Sequence, residues 1–281
     1  MNALARTDYA AWNLPETVVS ELMRSGAYVF DERLGVRACG ELLADVRKGR
    51  RFDETLFFSE VEFEESLERP LAGRRSLDGL EGKLDFVERA PQVVQALWSL
   101  LGPDYEIFGR EVVCLLPETA IPGWVKRRIQ GIGDGDLATY VKPELRDISY
   151  RARLDLRQEP DPGPGPGEAV TLDVYMHAVS EADGPLSLLE GSHRMAALDT
   201  PASLCRTGPG AWRYRSAQGE LRLTERALIG DAGFAVLRHG WTLVGDAPGA
   251  QHERLSLQYR FRRGAAREAG IDAVNAHLAA S

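Results

Sequence analysis

A chain of 281 residues, 44% hydrophobic and 27% charged, can bury a sizeable core as one large β-rich domain or two average ones. Its 42 acidic against 34 basic residues give a formal net charge of −8. That argues against a general nucleic-acid binder, which carries basic patches to neutralise phosphates, but leaves room for a local basic pocket. The three cysteines, Cys39, Cys114 and Cys205, form no CxxC pair, so neither a zinc knuckle nor a disulfide framework is indicated. With no basic-then-apolar leader and no apolar run long enough to span a bilayer, the expected setting is the cytoplasm, without a membrane partner.

Pro15 to Met23 carries Val18, Val19, Leu22 and Met23 in the stripe of a short amphipathic helix, and Gly26 is placed to stop it. Ala27 to Phe30 reads as a strand. Val36 to Val46 reads as a second helix, and the basic run Arg47 to Arg51 suits the negative end of its dipole. Phe52 to Phe86 shows no period. Ala90 to Leu101 predicts a helix with Pro91 in its first turn and Val93, Val94, Leu97, Leu100 and Leu101 along it. Tyr105 to Phe108 and Glu111 to Leu116 predict two strands joined through Gly109. From Pro117 to Asp147 periodicity disappears. Pro122, Gly123, Gly131, Gly133 and Gly135 around Trp124, Lys126, Arg127 and Arg128 read as a long loop, either a lid over a site or plain irregular surface.

Tyr150 to Glu159 alternates as a strand, with Asp155, Arg157 and Glu159 on one face and Leu154 and Leu156 on the other. Pro160 to Gly167 alternates Pro and Gly and must be loop. Thr171, Asp173, Tyr175 and His177 then alternate with Leu172, Val174 and Met176. Two such strands side by side suggest a shared polar cavity, although two outer strands of a sandwich would look the same. Gly184 to Arg194 is a strand closed by a turn, and 195 to 230 reads as loop-rich. Phe234 to Arg238 and Arg254 to Arg262 are further strands, the latter with Leu255, Leu257, Tyr259 and Phe261 opposite Arg254, Ser256, Gln258 and Arg260. Ala265 to Ala279 closes as a helix. The order predicts a mostly β protein with flanking helices, a barrel or jelly roll. It is expected as a single domain: a helical part to about residue 102, a barrel to about 262, then the last helix.

Asp183-Gly184-Pro185-Leu186 and Gly191-Ser192-His193-Arg194 resemble the "GPL…PGSHR" segment of the phytanoyl-CoA dioxygenase family of iron(II) and 2-oxoglutarate oxygenases, with Glu190 where that pattern has Pro. Gly26 to Phe30 and Leu101 to Tyr105 are similar to weaker landmarks, and the resemblance runs from about Glu21 to Phe261. It implies a double-stranded β-helix, the cupin-like jelly roll. Family members hold iron with a His-x-Asp pair and a later His, leaving positions open for oxygen and cosubstrate. Matching Asp147 to Tyr150 and Asp155 to that pattern puts Arg157-Gln158-Glu159 in place of His-x-Asp, and Val244-Gly245 in place of the later His-Gly. Arginine does not ligate cations and valine has no lone pair, so the resemblance implies a lost triad and no metal. A shifted register through His239-Gly240 would instead make His239 a ligand beside Asp155 or Glu159, with Fe(II) and 2-oxoglutarate as cofactors.

The residues expected to act are therefore Glu159 as general base, Arg157 stabilising developing negative charge, and His239 as partner acid or base. Outside a desolvated cavity, Arg157 and Glu159 would be an ordinary ion pair. Arg254 with Ser256 matches the family's cosubstrate carboxylate clamp, or else forms a salt bridge at a strand end. His177, Tyr175, Asp155 and Trp241 complete the expected substrate-binding set. His193 reads as a structural residue of its turn, and His252 and His277 as surface. Three functions follow: a metal-independent, redox-neutral enzyme performing proton transfer, cyclisation or isomerisation on a small molecule, as in secondary-metabolite tailoring; an iron and 2-oxoglutarate hydroxylase with an atypical ligand set; or a non-catalytic binding protein.

Overall fold

The computed structural model describes residues 14–66, 77, 81–130, 136–154, 156, 168–195, 204–216, 219–248, 250–264 and 270–280. Helix α1 (Leu14–Ser25) buries Val18 and Leu22 and ends at Gly26, whose φ of 82° is left-handed. Strand β1 (Ala27–Val29) and α2 (Val36–Arg47) follow, then the short α3 (Glu60–Glu65) and α4 (Asp85–Glu88). Helix α5 (Pro91–Leu101) starts on Pro91 and buries Val93, Ala96, Leu97, Leu100 and Leu101. Next come β2 (Glu106–Leu115), α6 (Gly123–Ile129), β3 (Ser149–Arg151), β4 (Ala169–Tyr175) and β5 (Leu186–Glu190). Strands β6 (Leu204–Gly208), β7 (Ala211–Ser216), β8 (Gly219–Ala227), β9 (Ala235–His239), β10 (Val244–Asp246) and β11 (Arg254–Arg262) precede α7 (Gly270–Ala280). No helix among the described residues is long and apolar enough to cross a membrane.

The strands form two sheets, β1-β9-β4-β11-β2-β3 and β10-β5-β8-β7-β6, antiparallel throughout except for the β2–β3 pair. This is a jelly roll with flanking helices. Period-two alternation assigns each face of the larger sheet. Outward, Leu172 and Val174 of β4, Met176 just past its end, and Leu255, Leu257, Tyr259 and Phe261 of β11 join the core that includes α1 and α5. Inward, Ala27, Tyr175 and Val236 pack against Leu186, Leu188 and Val244 of the smaller sheet. The inner face of the larger sheet also carries the polar residues that make the site.

Several elements differ from expectation. Residues 106–115 are one strand, with no turn at Gly109; there the missing side chain leaves room for Arg260, since a Cβ would stand 2.8 Å from its Nε. The expected loop after Pro117 contains α6, because Pro122 caps the helix and Gly123 opens it, positions where neither breaks a helix. The expected loop from 195 to 230 contains three antiparallel strands, β6 to β8. Of the strand expected over 150–159, the described residues show β3, Ser149–Arg151, while 155 and 157–159 lie outside them. Strand β3 pairs with β2, whereas β4 lies between β9 and β11, so the two polar-faced strands are not neighbours.

Candidate functional site

Between the sheets lies a small cavity of about 30 Å³, lined by Arg151, Asp173, Asp246, Arg254, Ser256 and Gln258 with Val113, Leu115, Leu154, Leu186, Val244 and Gly245. Register explains how these meet. Ser256 and Gln258 alternate inward along β11, opposite Tyr175 and Asp173 of β4, while Val244 and Asp246 of β10 face Leu188 and Leu186 across the smaller sheet.

A ladder of buried polar groups crosses the inner wall. Arg238 Nε donates to Asp173 Oδ2 at 2.8 Å, and Gln258 Nε2 donates to Asp173 Oδ1 at 3.0 Å. Arg151 Nη2 lies 3.3 Å from both Gln258 Oε1 and Glu111 Oε1, and the Ser149 hydroxyl donates to Glu111 Oε2. Arg238 is fully buried, and Asp173, Glu111 and Gln258 are at most 5% exposed. Charges this deep persist only when paired and hydrogen-bonded, which this arrangement supplies.

At the mouth, Arg254 Nη2 donates to Asp246 Oδ1 at 2.7 Å, and its Nη1 donates to the Gly184 carbonyl. The other Asp246 oxygen accepts the Leu154 N–H at 3.2 Å, and the Asp246 N–H returns to the Leu154 carbonyl at 2.9 Å. Of the two readings of Arg254, the salt bridge is present in the fold.

The remaining expected site residues scatter. Tyr175 is a bridge between sheets: its hydroxyl donates to Leu228 O at 2.7 Å and accepts from Leu186 N–H at 3.1 Å, and burial pushes its pKa up to about 12. His177 follows β4, its Nε2 accepting from Leu255 N–H at 3.0 Å and its Nδ1 donating to Ala178 O at 2.8 Å. Burial lowers its pKa and favours this neutral tautomer.

His239 does not reach the cavity. It pairs with Val170 at one end of β4, whereas Ser256 pairs with Tyr175 at the other and Arg254 lies further on. At about 3.3 Å per residue that is roughly 20 Å along the sheet. Both its nitrogens are engaged, Nδ1 accepting from Trp241 N–H and Nε2 donating to Asn275 Oδ1, each at 3.2 Å. Trp241 belongs to the same end, its ring 5.3 Å from that of His239. His193 stands there too, its ring 5.9 Å from His239 and its Nε2 bonded to Met23 O at 3.2 Å. This end is a pin between the sheet and the helices. Asp155, Arg157 and Glu159 lie outside the described residues.

Sequence reasoning missed Asp246, Glu111, Arg151 and Arg238. Glu111 was visible as a charge set among Val112, Val113 and Cys114 in a strand. Asp246 carried no comparable mark, since it sits in a short strand without periodicity.

The family resemblance implies iron and 2-oxoglutarate, and the described residues do not fit them. No three His, Cys, Asp or Glu side chains among them stand together as a metal site. Position 244 offers a valine, each cavity carboxylate already binds a guanidinium, and Arg254 is occupied.

No family model matches the chain, and no curated protein matches it. Solved structures with a similar course include AviO1 from Streptomyces viridochromogenes Tue57, 14% identical with a TM-score of 0.48 over 96% of this chain and 100% of that one. The non-heme α-ketoglutarate-dependent epimerase SnoN from nogalamycin biosynthesis is 16% identical, with a TM-score of 0.47 over 89% of this chain and 80% of its own. The carbocyclase SnoK of the same biosynthesis is 13% identical, with a TM-score of 0.48 over 89% and 85%. These likenesses are of fold, and what the site does rests on its own residues.

Proposed function

We propose that the chain is a metal-independent, redox-neutral enzyme that moves a proton on a small organic anion at the barrel mouth. The supporting observation is the composition of the cavity: guanidinium and carboxylate groups locked to one another around Val244, with Asp246 tethering Leu154 at the head of the segment that carries Arg157 and Glu159. In this reading Glu159 removes a proton from a carbon beside a carbonyl, Arg157 stabilises the oxyanion that forms, and the proton returns at another position. His239, at the far end of the sheet, has no part in it. A second, wider cleft of about 460 Å³ lies across Leu116 and Ala152, lined by Lys126, Arg127 and Arg153 with Glu118, and Arg127 also pairs with Glu60 at 3.4 Å. That cationic rim on an acidic protein favours an anionic substrate.

The test is turnover in deuterium oxide with EDTA and without oxygen, using a panel of small carboxylates that carry an acidic C–H. The expected result is deuterium incorporation or a product of unchanged mass, reduced at least about 100-fold in Glu159→Gln and Arg157→Ala, both still folded. Wild-type rates in those variants, or turnover that requires added iron(II), would overturn the proposal.

A further inference from the structure

We infer that Asp246 is a built-in occupant of a carboxylate site, closing Arg254 to the diacid that a jelly roll of this type would place there. The guanidinium is a planar fork suited to one carboxylate. Here it faces Asp246 Oδ1 at 2.7 Å, with the two side chains 6% and 10% exposed. Its second terminal nitrogen is spent on the Gly184 carbonyl, and Nε is buried without a partner. The other Asp246 oxygen is held by Leu154 N–H at 3.2 Å, so both oxygens are committed. Strand pairing fixes the carboxylate in place: Val244, Gly245 and Asp246 register on Leu188, Ser187 and Leu186.

A free carboxylate must displace this internal one, whose effective concentration is that of a tethered group, and must then sit beside its negative charge. Displacement would also cost the Leu154 N–H its acceptor on Asp246. The closed clamp accounts for a buried guanidinium on Arg254 beside the apolar Val244. It makes Asp246 a positioning residue of the mouth. The inference does not depend on the catalytic roles of Arg157 and Glu159, and its test reads binding, so the two proposals fail separately.

The experiment titrates wild type, Arg254→Met, Asp246→Ala, Asp246→Asn and the double variant Asp246→Ala/Arg254→Met with formate, succinate and 2-oxoglutarate, against sodium chloride of equal ionic strength. Calorimetry and thermal melting are the readouts. Wild type is expected to show no binding at millimolar ligand. Asp246→Ala gains a carboxylate site and rises in Tm by at least about 2 °C with formate or succinate, and the double variant shows no response. Asp246→Asn, which keeps the side-chain shape, carries the same expectation if the alanine variant does not fold. Binding of 2-oxoglutarate to wild type, lost in Arg254→Met, overturns the inference, as does a folded Asp246→Ala or Asp246→Asn indifferent to carboxylates. The absence of Arg254-dependent binding in wild type supports it even if neither single variant folds.

Discussion

Replacing Arg238 with methionine strips the inner wall of its most deeply buried charge while keeping much of its volume. Asp173 Oδ2 loses a partner at 2.8 Å, and the carboxylate keeps only Gln258 Nε2 at 3.0 Å, in a position 4% exposed. At an effective dielectric constant of about 20, attraction at that separation is about 6 kcal/mol, part of it offset by the desolvation of both ions. Breaking such a pair from one side costs about 3–5 kcal/mol, because the stranded charge stays buried. For a chain of this length that corresponds to a fall in Tm of roughly 6–10 °C. Removing both charges, as Arg238→Met with Asp173→Leu, should cost only about 1–3 kcal/mol, since an apolar pair avoids the desolvation and what remains is the buried Gln258 Nε2 left without its acceptor. Urea and thermal denaturation of the two single variants and the double variant close the cycle. A single variant within about 1 °C of wild type, or a double variant as unstable as Arg238→Met, would refute the view that this pair is held together by mutual neutralisation.

Acid should destabilise the fold through its histidine pin. Burial first, then the charge of neighbouring His239, pulls the His193 pKa down to about 3, and burial pulls His239 down to about 4. Unfolded, both titrate near 6.5. The unfolded chain therefore binds more protons below that pH, so stability complete above about 6.5 is lost as pH falls toward the folded values. From pH 7 to pH 5 the loss is about 2 kcal/mol per histidine, roughly 4 kcal/mol together. Urea midpoints across that range should show it, and His193→Asn/His239→Asn should flatten the slope; an unchanged slope would exclude these groups as its source. Gly26→Ala should also fail at this pin. With φ at 82°, a Cβ would stand 2.6 Å from both His193 Nδ1 and Thr242 Oγ1, so left-handed strain and overpacking together cost about 2–4 kcal/mol. A melting curve matching wild type would contradict that geometry.

The larger sheet was legible because its strands alternate strictly. In β11 and β4 every second residue is apolar and enters the outer core, and the polar set between them forms the inner wall. Strands β6 to β8 were missed although β7 and β8 alternate too: Trp212 and Tyr214 pair with Leu223 and Leu221 on one face and Arg213 pairs with Arg222 on the other, a pattern masked by the many charges and by the glycines at 208, 210 and 219. Helix α3 was hidden by its length, six residues, although Ser59 and Glu62 spell a capping box.

The site was legible by half. Arg254, Ser256, Asp173 and Gln258 stood out as inward polar positions. The partner of Arg254 did not, because Asp246 lies eight positions earlier on another strand, a pairing no periodicity announces. His239 was misplaced for the converse reason. Its titration near neutral pH and the His-Gly pair at 239–240 suggested a site residue, while antiparallel pairing with Val170 carries it to the opposite end of the sheet.

The central claim is that this barrel mouth works without iron and without a cosubstrate diacid. The direct measurement is oxygen uptake and succinate release by protein reconstituted with iron(II) and 2-oxoglutarate, alongside elemental analysis after desalting. The account predicts substoichiometric iron and no coupled uptake. One iron per chain, with oxygen consumption matched to succinate and abolished by Arg254→Met, would contradict it.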